Sequence, residues 1–458
     1  MTTKKQSDDG EERAISVASE ELLAETTYDP ERNLTAFAIS KDGKISMART
    51  VSNGRNSEVR PMSANDDLIQ NHFVRFASKP EPYSSLEALY QETRAFIERY
   101  MLLPKELLTV SAVYILLTWV HDRFHTLPYL RVTGNFGTGK TRFLEIMSAL
   151  TYKSMTAGGS ISTAAIFRTI NLIRGTLIFD EADFKITETW SEIVKILNAG
   201  HSKGFPVVRM NVSQKNEMRT ETFYVFGPKI LASREPFQDQ ALESRILSQN
   251  LLPMTEVNRP IILPKEFESE ALELRNKLLA FRLKSYREIQ EDPSTVGTLV
   301  VPRIKQISLA LTSIANLVSK EVLEEVLVFV RECEQQIQLS QKIDLNADVI
   351  ISICKCIADK DANKGGKVYM RDIAMKFRER FSIEYGQDSS YDTDDVLGSK
   401  FSLAKKMGKH VRSLGFTKYR DSEGIYILIP KESDRINLLV QRYGLKDIVD
   451  RLDQEPQF

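Results

Sequence analysis

Gly134, Asn135, Phe136, Gly137, Thr138, Gly139, Lys140 and Thr141 fit G-x-x-x-x-G-K-[ST] at every position. The apolar stretch before them reads as a short strand, and Arg142–Met147 after them as the start of an amphipathic helix. Glycines at this spacing let consecutive backbone N–H groups converge on a helix N-terminus, an arrangement that binds phosphate. Lys140 then supplies a point charge to the β/γ-phosphates and Thr141 a hydroxyl to Mg²⁺. About forty residues beyond this loop, Gly175–Phe179 runs apolar into Asp180, Glu181 and Asp183. That is the pattern of a buried parallel strand with acids at its carboxyl end. Asp180 is expected to hold Mg²⁺, and Glu181, one residue on, to polarise the attacking water. The two motifs together predict nucleoside triphosphate hydrolysis, with ATP and Mg²⁺ as cofactors.

The elements that must position these residues follow from the pattern of apolar and breaker residues. The chain has 458 residues, formal net charge zero and three cysteines (Cys333, Cys354, Cys356). That length predicts two to four domains, and neutrality requires any nucleic-acid surface to be local. Three cysteines without nearby histidines read as buried thiols, not as a disulfide framework or metal site. The richest apolar run, Leu107 to Val120, is shorter than a membrane span, and the polar start is unlike a signal peptide. A cytoplasmic protein without membrane contact is the expectation.

Residues 1–28 are polar and charged and are expected to be disordered. A small region at 29–84 contains a hairpin turning at Asp42–Gly43. An α/β nucleotide core with leading helices occupies 85–255, a helical segment 256–340, a further module 341–432 and a tail helix 433–458. Within the core, Phe205–Phe226 reads as two alternating strands around a polar tip at Ser213–Glu217. An apolar strand then ends at Ser233 and Arg234, and Arg245 follows.

This order of P-loop, acidic strand, hairpin, polar-ended strand, arginine and helical lid resembles AAA+ ATPases. The hairpin placed before the fourth strand is similar to that of minichromosome-maintenance-like helicases of plasmids, phages and integrating cassette elements. The likeness covers roughly residues 105–430. It implies an AAA+ core with a helical lid, in which Ser233 holds the attacking water. It also implies that Arg245 is a finger inserted into a neighbouring subunit's site, with Arg234 as its rival. Lys215 at the hairpin tip would touch DNA in a pore, and Arg303 would be a second nucleotide sensor at the head of a lid helix. Neither a helix-2 insertion nor a zinc-bearing N-terminal domain fits the available lengths, so the resemblance implies a reduced relative.

The module at 341–432 has the order helix, strand, helix, helix, hairpin expected of a winged helix. Phe401, Ala404, Met407, Val411 and Leu414 form an apolar stripe at helical spacing, while Lys405, Lys409 and Arg412 recur on another face beside Lys406. From Ser399 to Arg420 there are seven Lys or Arg and no acid, a local basic footprint for DNA. The expected function is a ring-forming, six-membered ATPase that translocates on or unwinds DNA in replication of a chromosomal or mobile element. Two rivals stay open: a helicase loader or DNA remodeller without unwinding, and a regulatory or defence switch in which the basic helix binds protein.

Overall fold

The computed structural model describes residues 2–6, 12–52, 58–158, 162–180, 188–212, 218–237, 239–252, 260–342, 345–359, 361–385 and 400–452. The chain forms two compact units, Met1–Cys333 and Glu334–Phe458.

The first unit opens with a β-domain where disorder was expected over residues 1–28. Its strands are β1 (Thr2–Gln6), β2 (Glu12–Ala18), β3 (Leu22–Asp29), β4 (Leu34–Lys41), β5 (Lys44–Ala48), β6 (Val51–Ser52) and β7 (Glu58–Pro61). They lie in the order β5-β4-β3-β2-β7-β6, with β1 on β2. The polar composition misleads because β3 buries polar residues: Glu25, Thr26 and Thr27 are at most 3 % exposed. Thr26 and Thr27 donate to backbone carbonyls, and Glu25 is paired by cations from distant parts of the unit. Those partners are tertiary, so composition alone cannot register them. The β4–β5 turn is a two-residue one, with Lys41 opposite Lys44 and both Asp42 and Gly43 at positive φ (49° and 73°).

A single turn, α1 (Asp67–Gln70), precedes α2 (Leu86–Tyr100), capped by Ser85, and α3 (Lys105–Val120). Helix α3 is buried on every side from Leu107 to Val120, which accounts for its uncharged, largely apolar sequence there. No helix of the described residues is long and apolar enough to cross a membrane.

The core that follows is α/β: β8 (Tyr129–Thr133), α4 (Lys140–Leu150), β9 (Met155–Ala157), α5 (Thr163–Ile173), β10 (Leu177–Phe179), α6 (Glu188–Ala199), β11 (Val207–Val212), β12 (Met218–Phe223), β13 (Lys229–Ser233), α7 (Gln240–Glu243) and β14 (Ile246–Asn250). Five strands make a parallel sheet in the order β14-β8-β13-β10-β9. Strand β13 therefore lies between the strand leading to the P-loop and the strand ending in Asp180. All five carboxyl ends face one edge, where open parallel sheets bind ligands. Strands β11 and β12 pair with each other outside this sheet, in register from Val207↔Phe223 to Val212↔Met218. The helices α8 (Glu266–Ser285), α9 (Pro302–Val318) and α10 (Lys320–Lys342) complete the series. A break at Ser319, in extended conformation, divides the helical run from Pro302 into two.

The second unit begins within α10 and contains α11 (Leu345–Ala358), β15 (Asn363–Lys364), β16 (Lys367–Tyr369), α12 (Met370–Tyr385), α13 (Lys400–Ser413), β17 (Lys418–Asp421) and β18 (Gly424–Leu428). Its sheet order is β15-β16-β18-β17. Met407 and Val411 of α13 pack with Ile350, Ile373 and Ile427 in one core. The tail, read as one helix, is two: α14 (Ile429–Arg442) and α15 (Lys446–Leu452). Gly444 between them has φ +62°, a conformation that ends a helix.

Candidate nucleotide site

Thr133 ends β8, and the chain must reverse at once into α4. Gly134 permits this at φ +150°, because a Cβ there would stand 2.7 Å from both the Leu251 carbonyl and Thr138 Oγ1. Gly139 caps α4 at φ +89°, aiming the first helical N–H groups into the loop. Asn135, Phe136 and Gly137 are exposed, whereas Thr138 is buried and donates to the Asn135 carbonyl at 2.9 Å. Lys140 Nζ bridges the loop, donating to the carbonyls of Gly134 (2.7 Å) and Asn135 (2.9 Å). An ammonium held by two neutral carbonyls can exchange them for phosphate oxygens.

Thr141 Oγ1 donates to Asp180 Oδ2 at 3.2 Å, so the two residues expected to hold Mg²⁺ meet across α4 and β10. One hydroxyl and one carboxylate fit Mg²⁺, which keeps several waters and takes its remaining ligands from phosphate. Among the described residues no group of three or more His, Cys, Asp or Glu could hold a metal. Glu181, the expected base, lies outside the described residues.

Ser233 ends β13 opposite Thr133, between P-loop and Asp180, and is fully buried. Its hydroxyl donates to the Glu235 carbonyl at 2.8 Å. The next residue, Arg234, places its guanidinium 4.0 Å from the ring centre of P-loop Phe136. That contact ties Arg234 to the P-loop of the same chain.

Arg245 sits at the other edge of the sheet. Its carbonyl accepts from Tyr129 N at the start of β8 (3.0 Å), a five-residue strand away from the P-loop. At strand rise this is about 13 Å or more from its own phosphate site. Its guanidinium donates to Asn198 Oδ1 (2.8 Å), to the Ala241 carbonyl and to His201. His201 Nδ1 faces the Asn198 carbonyl at 2.9 Å, which leaves Nε2 as acceptor for Arg245 at 3.3 Å. Burial, with Arg245 beside it, pushes the imidazole down to about 4, so it is neutral at physiological pH. Arg303, expected to be a second nucleotide sensor at the head of a lid helix, lies close enough to Arg245 and His201 to lower the pKa of both.

Sequence reasoning missed the device that fixes this region. Arg131, in the middle of β8 and 1 % exposed, forms a two-pronged ion pair with Glu243 of α7. Its Nε donates to Ser248 Oγ of β14 at 3.1 Å, and Glu243 accepts the Phe237 N–H at 3.0 Å. The pair thus clamps the segment between Ser233 and Arg245 to the P-loop strand. The available signal was a charge inside an otherwise apolar parallel strand, which demands a partner.

Of the residues expected to meet DNA, Lys215 lies outside the described residues. Lys405 and Lys406 fall on α13, but only its backbone is described there. Lys409 and Arg412 are exposed on α13, opposite buried Met407 and Val411. Lys418 Nζ turns back to the Gly408 carbonyl at 2.9 Å, fastening β17 to this helix.

No family model matches the chain, and no curated protein matches it. Among solved structures it is similar to the SCCmec type IV Cch helicase, at 11 % identity and TM-score 0.39, covering 95 % of this chain and 97 % of that one. It is also similar to the apo C-terminal region of NrS-1, at 10 % identity and TM-score 0.34, covering 88 % and 95 %. A third similarity is to JCV helicase, at 13 % identity and TM-score 0.25, covering 55 % and 62 %.

Proposed function

We propose that this chain is an AAA+-type ATPase that assembles into a ring, six-membered in the favoured arrangement, and couples ATP hydrolysis to translocation on or unwinding of DNA. The observation that carries the hydrolytic part is the meeting of Thr141 and Asp180 beside the P-loop, with Ser233 on the strand between them. In this reading Lys140 and the loop N–H groups bind the phosphates. Thr141 and Asp180 hold Mg²⁺, Glu181 activates water and Ser233 orients it. Arg245 is too far from its own loop to serve it, which supports a role across a subunit interface, and Arg303 joins it there. Arg234 steadies Phe136 in its own loop. The second unit, read as a winged helix, docks duplex through Lys405, Lys406, Lys409 and Arg412, while Lys215 follows the single strand.

The test pairs two assays. Glu181→Gln should bind MgATP with wild-type affinity and lose hydrolysis, and wild type should displace a strand from a forked duplex only with ATP. Wild-type hydrolysis by Glu181→Gln would remove this residue from the base role. DNA-stimulated hydrolysis without strand displacement would favour a loader. Hydrolysis indifferent to DNA would favour a switch acting through protein contacts.

A further inference from the structure

A cavity of about 490 Å³ lies at the edge of the core sheet opposite the P-loop. Tyr152, Arg174 and Tyr224 on its wall precede β9, β10 and β13, whose carboxyl ends face the nucleotide site. The turn between β2 and β3 forms another wall, and α8 closes it with Arg282, Tyr286 and Arg287. The space is thus built jointly by the β-domain, the core and α8. Its volume is that of a small-molecule site.

The lining carries five Lys or Arg against two carboxylates, Glu20 and Asp122. Asp122 is already occupied: Arg282 grips it in two bonds of 2.8 and 2.9 Å, and Tyr286 donates to it at 3.0 Å. That leaves Arg123, Arg174, Lys203 and Arg287 against the single carboxylate of Glu20. Arg123, Arg287 and Lys203 donate to backbone carbonyls. Arg123 Nε donates to the Ile289 carbonyl at 3.3 Å with the Tyr286 ring 5.2 Å away, and Arg287 Nε donates to the Glu20 carbonyl at 3.1 Å. Holding a guanidinium through Nε turns its Nη edge away from that carbonyl, the edge that matches phosphate oxygens. Arg174 lies 4.4 Å over the Tyr224 ring, and Lys203 Nζ donates to the Asp122 carbonyl at 2.7 Å. Burial lowers the pKa of both cations, a cost that an incoming anion would offset.

We infer that this cavity binds a phosphorylated ligand of nucleotide size, as a second site distinct from the P-loop. The chemistry admits two sources: a free nucleoside phosphate, or one nucleotide unit of a single strand. Lys203 and Tyr224 flank the β11–β12 hairpin and Arg174 precedes the Asp180 strand, so occupancy would stiffen the hairpin root and that strand together. The inference is independent of the hydrolytic reading, because its test needs only binding.

The test uses the full chain carrying Lys140→Ala, titrated calorimetrically with thymidine 3′,5′-bisphosphate and with a short oligothymidylate. At least one probe should bind, and Arg123→Gln with Lys203→Gln should weaken it by more than about tenfold, as loss of two charge-assisted contacts requires. Lys203→Arg alone should retain binding. Arg287→Gln, on an exposed side chain, provides a second arm should the double variant melt early. Tighter binding of the oligonucleotide identifies a strand, and preference for the bisphosphate identifies a free nucleotide. Absence of binding by both probes, or wild-type affinity in a folded double variant and in Arg287→Gln, would overturn the inference.

Discussion

At the scale of single residues, Lys140 has the most exposed role. Its ammonium spans two loop carbonyls, a pair of neutral acceptors that, in the proposed function, ATP would replace with anionic ones. A charge-assisted contact of this kind is worth about 1.5–3 kcal/mol. Lys140→Ala should therefore weaken MgATP binding by more than about tenfold in a fluorescent-nucleotide titration, without changing the melting temperature appreciably. Undiminished affinity would mean that the loop does not face phosphate. Thr141 and Asp180 are linked by one hydrogen bond across two elements, and Mg²⁺ would take its place on both.

At the scale of elements, β8 carries the P-loop at one end and receives Arg245 at the other, so in the proposed ring one strand would separate the two halves of a shared site. Arg245→Ala should leave nucleotide affinity intact and lower turnover on the order of a thousandfold, the scale of a lost finger. Mixing Arg245→Ala with Lys140→Ala chains should restore part of the activity, because the defects lie on opposite sides of each interface. No recovery at any ratio in assembled protein would exclude an arginine acting in trans. Helix α13 makes a separate prediction. Lys409→Gln with Arg412→Gln leaves Met407 and Val411 in the core, so the unit should stay folded. Duplex affinity should fall, and the slope of log K against log salt should flatten by about 2, near 0.9 per lost phosphate contact. An unchanged slope would assign this face to something other than DNA.

At the scale of the whole molecule, the β-domain is locked to the rest of its unit by one buried carboxylate. Glu25 accepts from Lys153 Nζ (2.6 Å), Tyr152 OH (2.7 Å) and Arg282 Nε (2.8 Å). Burial alone would raise its pKa; Arg282 and then Lys153 outweigh that and hold it below the ordinary 4.5. The unfolded chain therefore takes up this proton first. The stabilisation is complete above about pH 4.5 and declines as pH falls through the depressed value. Glu25→Ala leaves Lys153 buried without its carboxylate and Arg282 with Asp122 alone, and should cost about 3–5 kcal/mol. It should also flatten the loss of stability below about pH 4.5, as urea melts across that range would read. Equal stability of the variant and wild type across that range would deny the network a structural role.

The sequence by itself determined the features that depend on near neighbours along the chain. The P-loop is one, since its glycine conformations and helix start follow from local sterics at Gly134 and Gly139. The Asp42–Gly43 turn, the buried stripe of Met407 and Val411, and the strand running into Asp180 are others of the same kind. Tertiary structure alone decided which distant groups neutralise each other. It made strands of Thr2–Gln6, Glu12–Ala18 and Leu22–Asp29, supplying Lys153 and Arg282 to Glu25, and it paired Arg131 with Glu243. It also brought Arg303, at the head of α9, close enough to Arg245 and His201 to lower the pKa of both. Local pattern encodes how a segment folds; the cost of burying a charge is met only by partners that the completed fold brings within reach.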